Sequence, residues 1–228
     1  MVCMTGPVLR ELASLSEMKA AEAFQRRVWG EEDPPDNSDM LLAIQHEGGL
    51  IAGAFEGDVM VAFLFGFPTS DPQAQHSHRL GVDPERQGQG LGLRMKLYQK
   101  DWCLARGITR VRWTYDPVRR ANASLNIGRL GATARTYYRD YYGQMEGINA
   151  GVPSDRVLAE WDLTRPANDK VQARATLPIP ADFAGMVQSD LAAALSERMR
   201  VRDALEAAFA DGLQIAGFDG AANSYVLA

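Results

Sequence analysis

The chain has 228 residues, of which 46% are apolar and 23% are charged, and its formal net charge is −5. This composition is typical of a globular protein with one domain of ordinary size, with or without a small appendage. The negative charge argues against a general nucleic-acid coat, and no stretch approaches the roughly 18 uninterrupted apolar residues of a membrane span. The first residues lack a secretion-signal pattern, so we expect a cytoplasmic protein whose two cysteines, Cys3 and Cys103, are reduced thiols.

Strands and short helices alternate in the first third of the sequence. We predict a strand over VLREL, and then a helix over EMKAAEAFQRRVW, before which Ser14 and Glu17 stand at the spacing of a capping box. After the break GEEDPPD we predict a short helix over SDMLLAIQHEGG that ends at Gly48. Two strands follow over LIAGAFEGDVMVAFLFGFP, joined by a hairpin turn at EGD.

The central part of the sequence predicts a strand, a glycine-containing loop, a helix and a second strand. The first strand covers HSHRLGV, and the second covers ITRVRWTYD. Between them, apolar residues at three-to-four spacing predict an amphipathic helix that ends at Gly107. These apolar residues are Leu93, Leu97, Tyr98, Trp102 and Ala105. The unit from Gln75 to Tyr115 could hold a parallel pair of strands.

The rest of the sequence predicts a second helix over RRANASLNIGRLG, two strands over ATARTYYRDYYG and RVLAEWDL, and a C-terminal appendage. We interpret the polar segment TRPANDK, residues 164–170, as a linker. Beyond it, a predicted helix from about Asp182 to Ala210 is flanked by ATLPIP, LQIAGFD and SYVLA. The prediction is a main domain over residues 1–163, the linker, and a small β-α-β extension over 171–228 that packs on the main domain. The fold class is α+β, with a central mixed, mostly antiparallel sheet flanked by helices.

Three glycines stand at alternate positions between the strand over HSHRLGV and the following helix: Gly88, Gly90 and Gly92. Glycine weakens both strands and helices, but it suits a turn that presents its N–H groups to an anion at a helix N-terminus. The spacing fails the dinucleotide pattern G-x-G-x-x-G, and the chain has no G-x-x-x-x-G-K-[ST] run. The residues Gln87 to Gly92 do fit a third pattern, Q/R-x-x-G-x-G/A.

The span LGVDPERQGQGLGLRMKLYQ resembles the acyl-CoA-binding motif of the GNAT acyltransferases, and the resemblance extends over about Val8 to Leu163. It implies a GNAT fold in which the N–H groups of this loop hold the coenzyme A pyrophosphate, with Arg86 and Arg94 adding positive charge. The helix dipole would add roughly half a positive charge there. The resemblance implies these cofactor-contacting residues: Leu80, Gly81, Val82, Gln87, Gly88, Gln89, Gly90, Leu91, Gly92 and Asn122. Asn126, four residues further along the same predicted helix, is a second candidate, and either asparagine could hydrogen-bond the pantetheine arm or face water.

A closer resemblance concerns HSHRLGVDPERQGQGLG, TYDPVRRANASLNIGRLGA and YYRDYYG followed by NAGVPSDR. These segments are similar to a bacterial GNAT subfamily of predicted acyltransferases. Some of its members accompany N-acylamino-acid racemases and N-succinylate D-amino acids. The resemblance therefore implies acetyl-CoA or succinyl-CoA as the co-substrate and an amino acid or a related metabolite as the acceptor.

An amine that attacks a thioester must lose a proton, so a base with a pKa near neutrality is expected close to it. Many GNAT enzymes have a glutamate six residues before the motif's valine, and here that position is His76. His76 and His78 are the candidate bases, and on a regular strand they would share a face with Leu80 and Val82. The alternative for each histidine is a surface or hydrogen-bonded side chain. The resemblance also implies that the Val82 N–H stabilises the oxyanion, in a splayed strand that holds the pantetheine arm.

The usual general acid of the family is missing. Many relatives have a tyrosine four residues before the glycine that closes the second helix, and counting back from Gly131 gives Ile127. The loss is tolerable because a thiol with a pKa near 8.5 leaves as its anion with little help. Tyr115, Tyr137 and Tyr138 are candidate substitutes.

Two further segments admit both structural and functional interpretations. The tyrosines of TYYRDYYG could place alternate rings in the core or form a wall of the acceptor pocket, and NAGVPSDR could be a lid. Arg119, Arg120 and Arg156 could pair with a carboxylate of the acyl group or the acceptor, or lie solvated on the surface.

We expect an N-acyltransferase that moves an acetyl or succinyl group from acyl-CoA to a primary amine, by direct attack in a ternary complex and without a metal. The alternatives are a non-catalytic acyl-CoA-binding protein and an enzyme that acetylates protein N-termini or lysines. The expected partners are the CoA thioester and a small amine, with a homodimer as one option and no nucleic acid or membrane.

Overall fold

The computed structural model describes residues 6–143, 151–166 and 172–228. They fall into two compact units, residues 1–111 and 112–228. Cys3, the first two residues of the NAGVPSDR segment and the linker residues 167–170 lie outside the described residues.

The described residues of the first unit form four strands and three helices. They are β1 (Val8–Glu11), α1 (Leu15–Trp29), α2 (Ser38–His46), β2 (Leu50–Glu56), β3 (Val59–Pro68), β4 (Ala74–Val82) and α3 (Leu91–Leu104), with a single 3₁₀ turn over Pro84–Arg86. The strands lie in the order β1-β2-β3-β4, and every neighbouring pair is antiparallel.

The local signals predicted for this unit are confirmed. The Ser14 side chain caps α1 by accepting a hydrogen bond from the Glu17 N–H at 3.3 Å. Gly48 follows α2 with a φ of 85°, and Gly57 forms the hairpin turn with a φ of 59°. Both angles lie in the left-handed region, which glycine adopts at little cost.

The core of the first unit lies between one face of the sheet and helices α1 and α2. Phe24 of α1 packs on Phe63 of β3 with ring centroids 6.5 Å apart, and Phe63 packs in turn on Phe65 at 5.9 Å. The buried apolar cluster consists of Leu12, Met18, Ala21, Phe24, Leu41, Ile51, Phe55, Met60, Phe63 and Phe65. Helix α3 contacts β4 through different residues, described with the site below.

A β-bulge interrupts β4 at His78. Phe65 pairs with Arg79 and the next residue, Gly66, pairs with Ser77, so His78 is an extra residue in β4. A bulge places two successive residues on the same side of a strand. The prediction that His76 and His78 share a face with Leu80 and Val82 is therefore wrong, since the regular alternation on which it relied is broken between them.

The second unit contains the remaining strands and helices. They are β5 (Arg110–Tyr115), α4 (Arg120–Ala123) continuing as a π-helix (Ser124–Arg129), β6 (Thr133–Tyr138), β7 (Arg156–Asp162), β8 (Ala175–Pro178), α5 (Phe183–Ser189), α6 (Leu191–Ala210), β9 (Ile215–Asp219) and β10 (Ser224–Leu227). The strand order is β5-β7-β6-β9-β10-β8. Ala134 of β6 pairs with Ala159 of β7 and with Ile215 of β9, both antiparallel.

Three elements of the second unit differ from the prediction. The predicted strand over TYYRDYYG ends at Tyr138, and Asp140 turns the chain with a φ of 46°. The helix predicted over residues 182–210 is broken at Asp190, whose carboxylate caps α6 by accepting from the Ala193 N–H at 2.9 Å. The C-terminal segment therefore has two helices and three strands rather than the predicted β-α-β pattern. The domain boundaries at residues 163 and 171 stay a prediction.

Candidate active site

The loop between β4 and α3 has the backbone that its glycines predict. Gly88 and Gly90 have φ angles of 75° and 78°, and a Cβ atom at either position would meet no atom within 4 Å. The left-handed conformation, rather than a lack of space, therefore requires glycine there. Gly90 is the N-cap of α3 and provides no side-chain hydrogen bond to it.

Most N–H groups of this loop make no hydrogen bond to the described part of the chain. Among the residues that the structure describes, none accepts a hydrogen bond from the N–H groups of Gly88, Gln89, Gly90, Leu91, Gly92 or Leu93. The Gln87 N–H is the exception, with a long contact of 3.4 Å to the Pro84 carbonyl. A run of unengaged donors at the positive end of a 14-residue helix is suited to an anion such as a phosphate.

The two arginines predicted to add charge beside the loop are both engaged elsewhere. Arg86 donates to Glu56 from Nε at 3.0 Å and from Nη2 at 2.8 Å, and this contact lowers the pKa of the Glu56 carboxyl. Arg94 donates from Nη2 to the Pro7 carbonyl at 2.8 Å. The charge of Arg86 is therefore offset by Glu56, and the backbone of the loop is the principal attraction for an anion.

The structure brings His76 and His78 together on a phenylalanine surface. His76 stacks on Phe67 with centroids 4.8 Å apart and planes at 26°, while His78 lies 5.1 Å from Phe65. The two imidazole rings are 5.9 Å apart. Both rings therefore occupy the face of β4 that carries the aromatic core of the first unit.

His78 has a charged neighbour that affects its protonation. Its Nε2 lies 3.9 Å from the Asp36 carboxylate, and Arg79 beside it pairs with Asp36 and Asp33 at 2.9 Å each. Burial lowers the pKa of His78 below its ordinary 6.5, Asp36 opposes this shift, and Arg79 adds to it. The imidazole is thus mainly neutral at pH 7, which is the form that accepts a proton.

Val82 lies four residues after the bulge, at the end of β4. The Asp83 N–H donates to the Val61 carbonyl of β3 at 3.0 Å, so the alternation of the ladder directs the Val82 N–H to the other edge of β4. A Cβ atom on Gly81 would lie 2.9 Å from the Trp29 ring, which puts Gly81 on the α1 face and leaves the side chains of Leu80 and Val82 on the opposite face.

The two asparagines predicted to contact the cofactor lie in the second unit. Asn122 is half-buried in α4, and Asn126 is 5% exposed in the π-helix. The Leu130 N–H bonds to the Leu125 carbonyl at 3.0 Å, a spacing of five residues that departs from α-helical geometry. Sequence periodicity could not reveal this change of helix type.

Two of the three candidate tyrosines, Tyr115 and Tyr137, have raised pKa values that make them poor general acids. Ile127 is buried at the position of the family's tyrosine. Burial raises the pKa of Tyr115, and it raises that of Tyr137, whose hydroxyl donates to Asp155 at 2.6 Å. Both hydroxyls therefore hold their protons tightly. Tyr138 packs on Tyr141 with centroids 5.0 Å apart.

A buried polar cluster that the sequence did not predict lies between β4 and α3. Lys96 Nζ donates to Ser77 Oγ at 2.7 Å and to Gln99 Oε1 at 3.1 Å, and Gln99 donates to Gln75 Oε1 at 2.7 Å. Burial lowers the pKa of Lys96 to about 7 and raises that of the neighbouring Cys103 to about 12. The spacing of Lys96, Gln99 and Cys103 on one helix face was the available signal.

The second unit contains a cavity that none of the predicted site residues lines. Its volume is about 510 Å³, and it is lined by the π-helix and by β6, β7, β9 and β10. Within the described ranges, no three histidine, cysteine, aspartate or glutamate side chains converge as metal ligands. Of the helices in those ranges, none combines the length and apolar character needed to cross a membrane.

Part of the chain matches a known protein family. The family model described as "Acetyltransferase (GNAT) family" matches residues 15–125. Among curated proteins, none matches this sequence.

Several solved structures have a fold similar to that of this chain. The ribosomal-protein-S18-alanine N-acetyltransferase from Escherichia coli superposes with a TM-score of 0.58 at 19% identity, over 73% of this chain and 100% of that one. The phosphinothricin acetyltransferase from Sinorhizobium meliloti, in complex with AcCoA, gives 0.55 at 14% identity, over 73% and 94% of the two chains. The IAA acetyltransferase from Bacillus cereus gives 0.54 at 14% identity, over 69% and 99%.

These similarities confirm the α+β GNAT fold with a mixed, mostly antiparallel sheet flanked by helices. At this level of identity they concern the fold, whereas the family model concerns the segment that holds β4, the glycine loop and α3. Residues 15–125, just under half of this chain, are therefore similar to the GNAT acetyltransferase family.

Proposed function

We propose that this protein is an acyl-CoA-dependent N-acyltransferase that moves an acetyl or succinyl group to the primary amine of an amino acid or a related small metabolite. The row of unengaged N–H groups from Gly88 to Leu93 carries the proposal, because it offers a diphosphate several donors at the start of a long helix. A structure with the same fold has been solved in complex with AcCoA, and this supports the diphosphate of coenzyme A as the anion that the loop binds.

In the proposed reaction the amine nitrogen attacks the thioester carbonyl, so that a C–N bond forms and the C–S bond breaks. One histidine of the His76–His78 pair accepts the amine proton, and the neutral state of His78 near pH 7 suits it to this part. The Val82 N–H, directed away from β3, donates to the oxyanion. CoA leaves as its thiolate, so the absence of a tyrosine at Ile127 is tolerated.

Direct transfer fits the described cysteine better than a covalent enzyme intermediate. The Cys103 thiol is buried beside Gln75, and burial raises its pKa to about 12, so it stays protonated and inaccessible. A nucleophilic cysteine needs a lowered pKa and access to the substrate. We therefore propose a ternary complex in which the amine and acyl-CoA bind together.

An acceptor of a different class has some support. The E. coli relative is named for acetylating the alanine of a ribosomal protein, so a protein N-terminus is the second candidate acceptor. For a small acceptor or a succinyl donor, Arg119 and Arg156 are candidate carboxylate partners, since Arg156 lies 4.9 Å over the Tyr142 ring in the proposed acceptor wall. The cytoplasmic location and the homodimer remain predictions.

An assay of free thiol release tests the proposal. The protein is incubated with acetyl-CoA or succinyl-CoA and a panel of D- and L-amino acids, other small amines and N-terminal peptides. We expect release that depends on both substrates, and a fall in kcat/KM of roughly 10²–10⁴ when the histidine that acts as base is changed to glutamine. Lys19→Gln, an exposed change on α1, is the control.

Two results would contradict the proposal in different ways. Absence of turnover with every donor, together with absence of CoA binding by calorimetry, would remove the enzyme and its cofactor. Tight CoA binding without turnover would instead favour the non-catalytic acyl-CoA-binding alternative. If His76→Gln and His78→Gln both kept the full rate, the base would have to be another group.

A further inference from the structure

The C-terminal segment of the second unit holds the turn from which the helical segment Arg120–Arg129 begins. Arg198 of α6 donates to both oxygens of Asp116, from Nη1 at 2.6 Å and from Nη2 at 2.8 Å. The Arg198 side chain is 1% exposed and that of Asp116 is 11% exposed. Asp116 also accepts from the Val118 N–H at 3.1 Å, so the contact fixes the backbone as well as the side chain.

Two more residues of the C-terminal segment reach the same turn. The buried Tyr225 of β10 donates its hydroxyl to the Pro117 carbonyl at 2.8 Å. Phe183 of α5 lies under two guanidinium groups, that of Arg198 at 4.8 Å and that of Arg119 at 5.7 Å. Arg119 is the N-cap of α4, and its carbonyl accepts the first helical hydrogen bond, from the Ala123 N–H at 3.1 Å.

The chemistry of these contacts is better suited to fixing geometry than to adding stability. A buried ion pair gains little net free energy, because removing both charges from water offsets their attraction. A bidentate arginine–carboxylate pair does fix the relative orientation of its two elements. The helix that begins after this turn is only one α-helical turn long before it becomes a π-helix, so it has little intrinsic stability of its own.

We propose that Arg198 and Tyr225 are positioning residues that set the affinity for CoA without contacting it. They hold the turn over residues 116–119 and thereby the orientation of Asn122 and Asn126, the two predicted CoA contacts on the helical segment. This inference rests on the proposed function, because it assumes that this segment binds the cofactor. It gives the C-terminal segment a part in cofactor binding.

The test compares Arg198→Lys and Tyr225→Phe with the unaltered protein. Lysine keeps the charge but loses the bidentate geometry, and phenylalanine removes only the hydroxyl. We expect the Kd for CoA by calorimetry and the KM for acyl-CoA to rise roughly threefold to thirtyfold, the range measured for residues that act on a site without touching it. The KM for the amine should stay unchanged.

Arg200→Lys is the matched control. Arg200 lies on the same helix and pairs with Glu197 at 2.8 Å, but its side chain is 41% exposed. Its Kd for CoA should equal that of the unaltered protein. Thermal unfolding of each variant gives an assay temperature at which all of them are folded. A further variant, Arg198→Met, removes the charge as well as the bidentate geometry, and it should weaken CoA binding more than Arg198→Lys does.

The outcomes separate the two proposals. If the unaltered protein does not bind CoA, the proposed function fails and this inference fails with it. If the unaltered protein binds CoA, but folded Arg198→Lys and Tyr225→Phe bind it with unchanged Kd, the inference alone is overturned. Equal increases in the KM for acyl-CoA and the KM for the amine would also overturn it, because they indicate general loosening.

Discussion

At the scale of single residues, the His76–His78 pair is defined by what surrounds it. The two rings lie 5.9 Å apart on the phenylalanine face of β4, and Asp36 and Arg79 lie beside His78. The bulge at His78 could not be predicted, because it depends on pairing with β3 rather than on local sequence. The bulge also puts the Arg79 side chain on the same side of β4 as that of His78. There Arg79 pairs with Asp33 and Asp36 in the loop before α2.

The first prediction concerns the neighbour of His78. The Asp36 carboxylate raises the pKa of His78, so Asp36→Asn should lower that pKa further below 6.5. If His78 is the base, kcat/KM falls as the pH drops through this pKa, and the acid limb of the profile should move to lower pH in the variant. The measurement is the pH profile of kcat/KM, with Asp39→Asn on the exposed start of α2 as control.

The result also distinguishes the two histidines. An acid limb that stays in place in Asp36→Asn, with the protein folded and active, would contradict the assignment of His78 and favour His76.

At the scale of elements, helix α3 forms where the sequence predicts it, but the face that it buries is not the predicted one. The predicted apolar stripe included Leu97, which is 44% exposed. The buried face instead carries Leu91, Met95, Lys96, Gln99, Trp102 and Cys103. Pattern-based prediction assigns lysine and glutamine to the surface, and only the facing Ser77 and Gln75 of β4 make their burial tolerable.

The second prediction follows from the burial of Lys96. Burial lowers its pKa in the folded state to about 7 from 10.5, so between these values the unfolded state binds more protons than the folded state. The free energy of unfolding should therefore rise between about pH 7 and pH 9, by about 1.4 kcal/mol for each pH unit at most, and above pH 9 the raised pKa of Cys103 acts in the opposite direction. Below pH 7 both states are protonated and the penalty is fully present.

Urea unfolding of Lys96→Met between pH 6 and pH 10 measures this effect. The variant should lose that part of the pH dependence. It also removes the donor to Ser77 Oγ, which costs about 1–3 kcal/mol at every pH, while Gln99 Oε1 can still accept from the Ser77 hydroxyl at 3.2 Å. Lys19→Met, on the exposed side of α1, should keep the slope of the unaltered protein. A slope that persists in Lys96→Met would show that Lys96 stays charged in the fold.

At the scale of the whole molecule, the sequence predicted the fold class and most strands, because the strands carry alternating or buried apolar patterns and strong turn signals. It could not predict what the C-terminal segment does. Residues far apart in the chain, such as Asp116 with Arg198 and Asp155 with Arg202, form the contacts that bind this segment to the rest of the second unit. A single arginine among many on a helix gives no indication of its partner.

The third prediction is that a chain ending at residue 166 will not fold stably. It would lack β9, the partner of β6, and would lose Arg198 and Arg202, which donate to the buried Asp116 and Asp155, at a cost on the order of 3–5 kcal/mol for each pair. That sum is comparable with the whole stability of a typical domain. Circular dichroism and thermal unfolding of the shortened chain give the measurement. A cooperative transition at the temperature of the full chain would show instead that residues 1–163 fold alone.

The central claim is that the loop amides hold a diphosphate, and an NMR titration of the ¹⁵N-labelled protein with CoA tests it most directly. We predict that the amide resonances of Gly88 to Leu93 shift most strongly and saturate with CoA, and that pantetheine, which has no diphosphate, leaves them in place. If CoA binds while these resonances stay where they were, the loop is not the phosphate site and the account is contradicted.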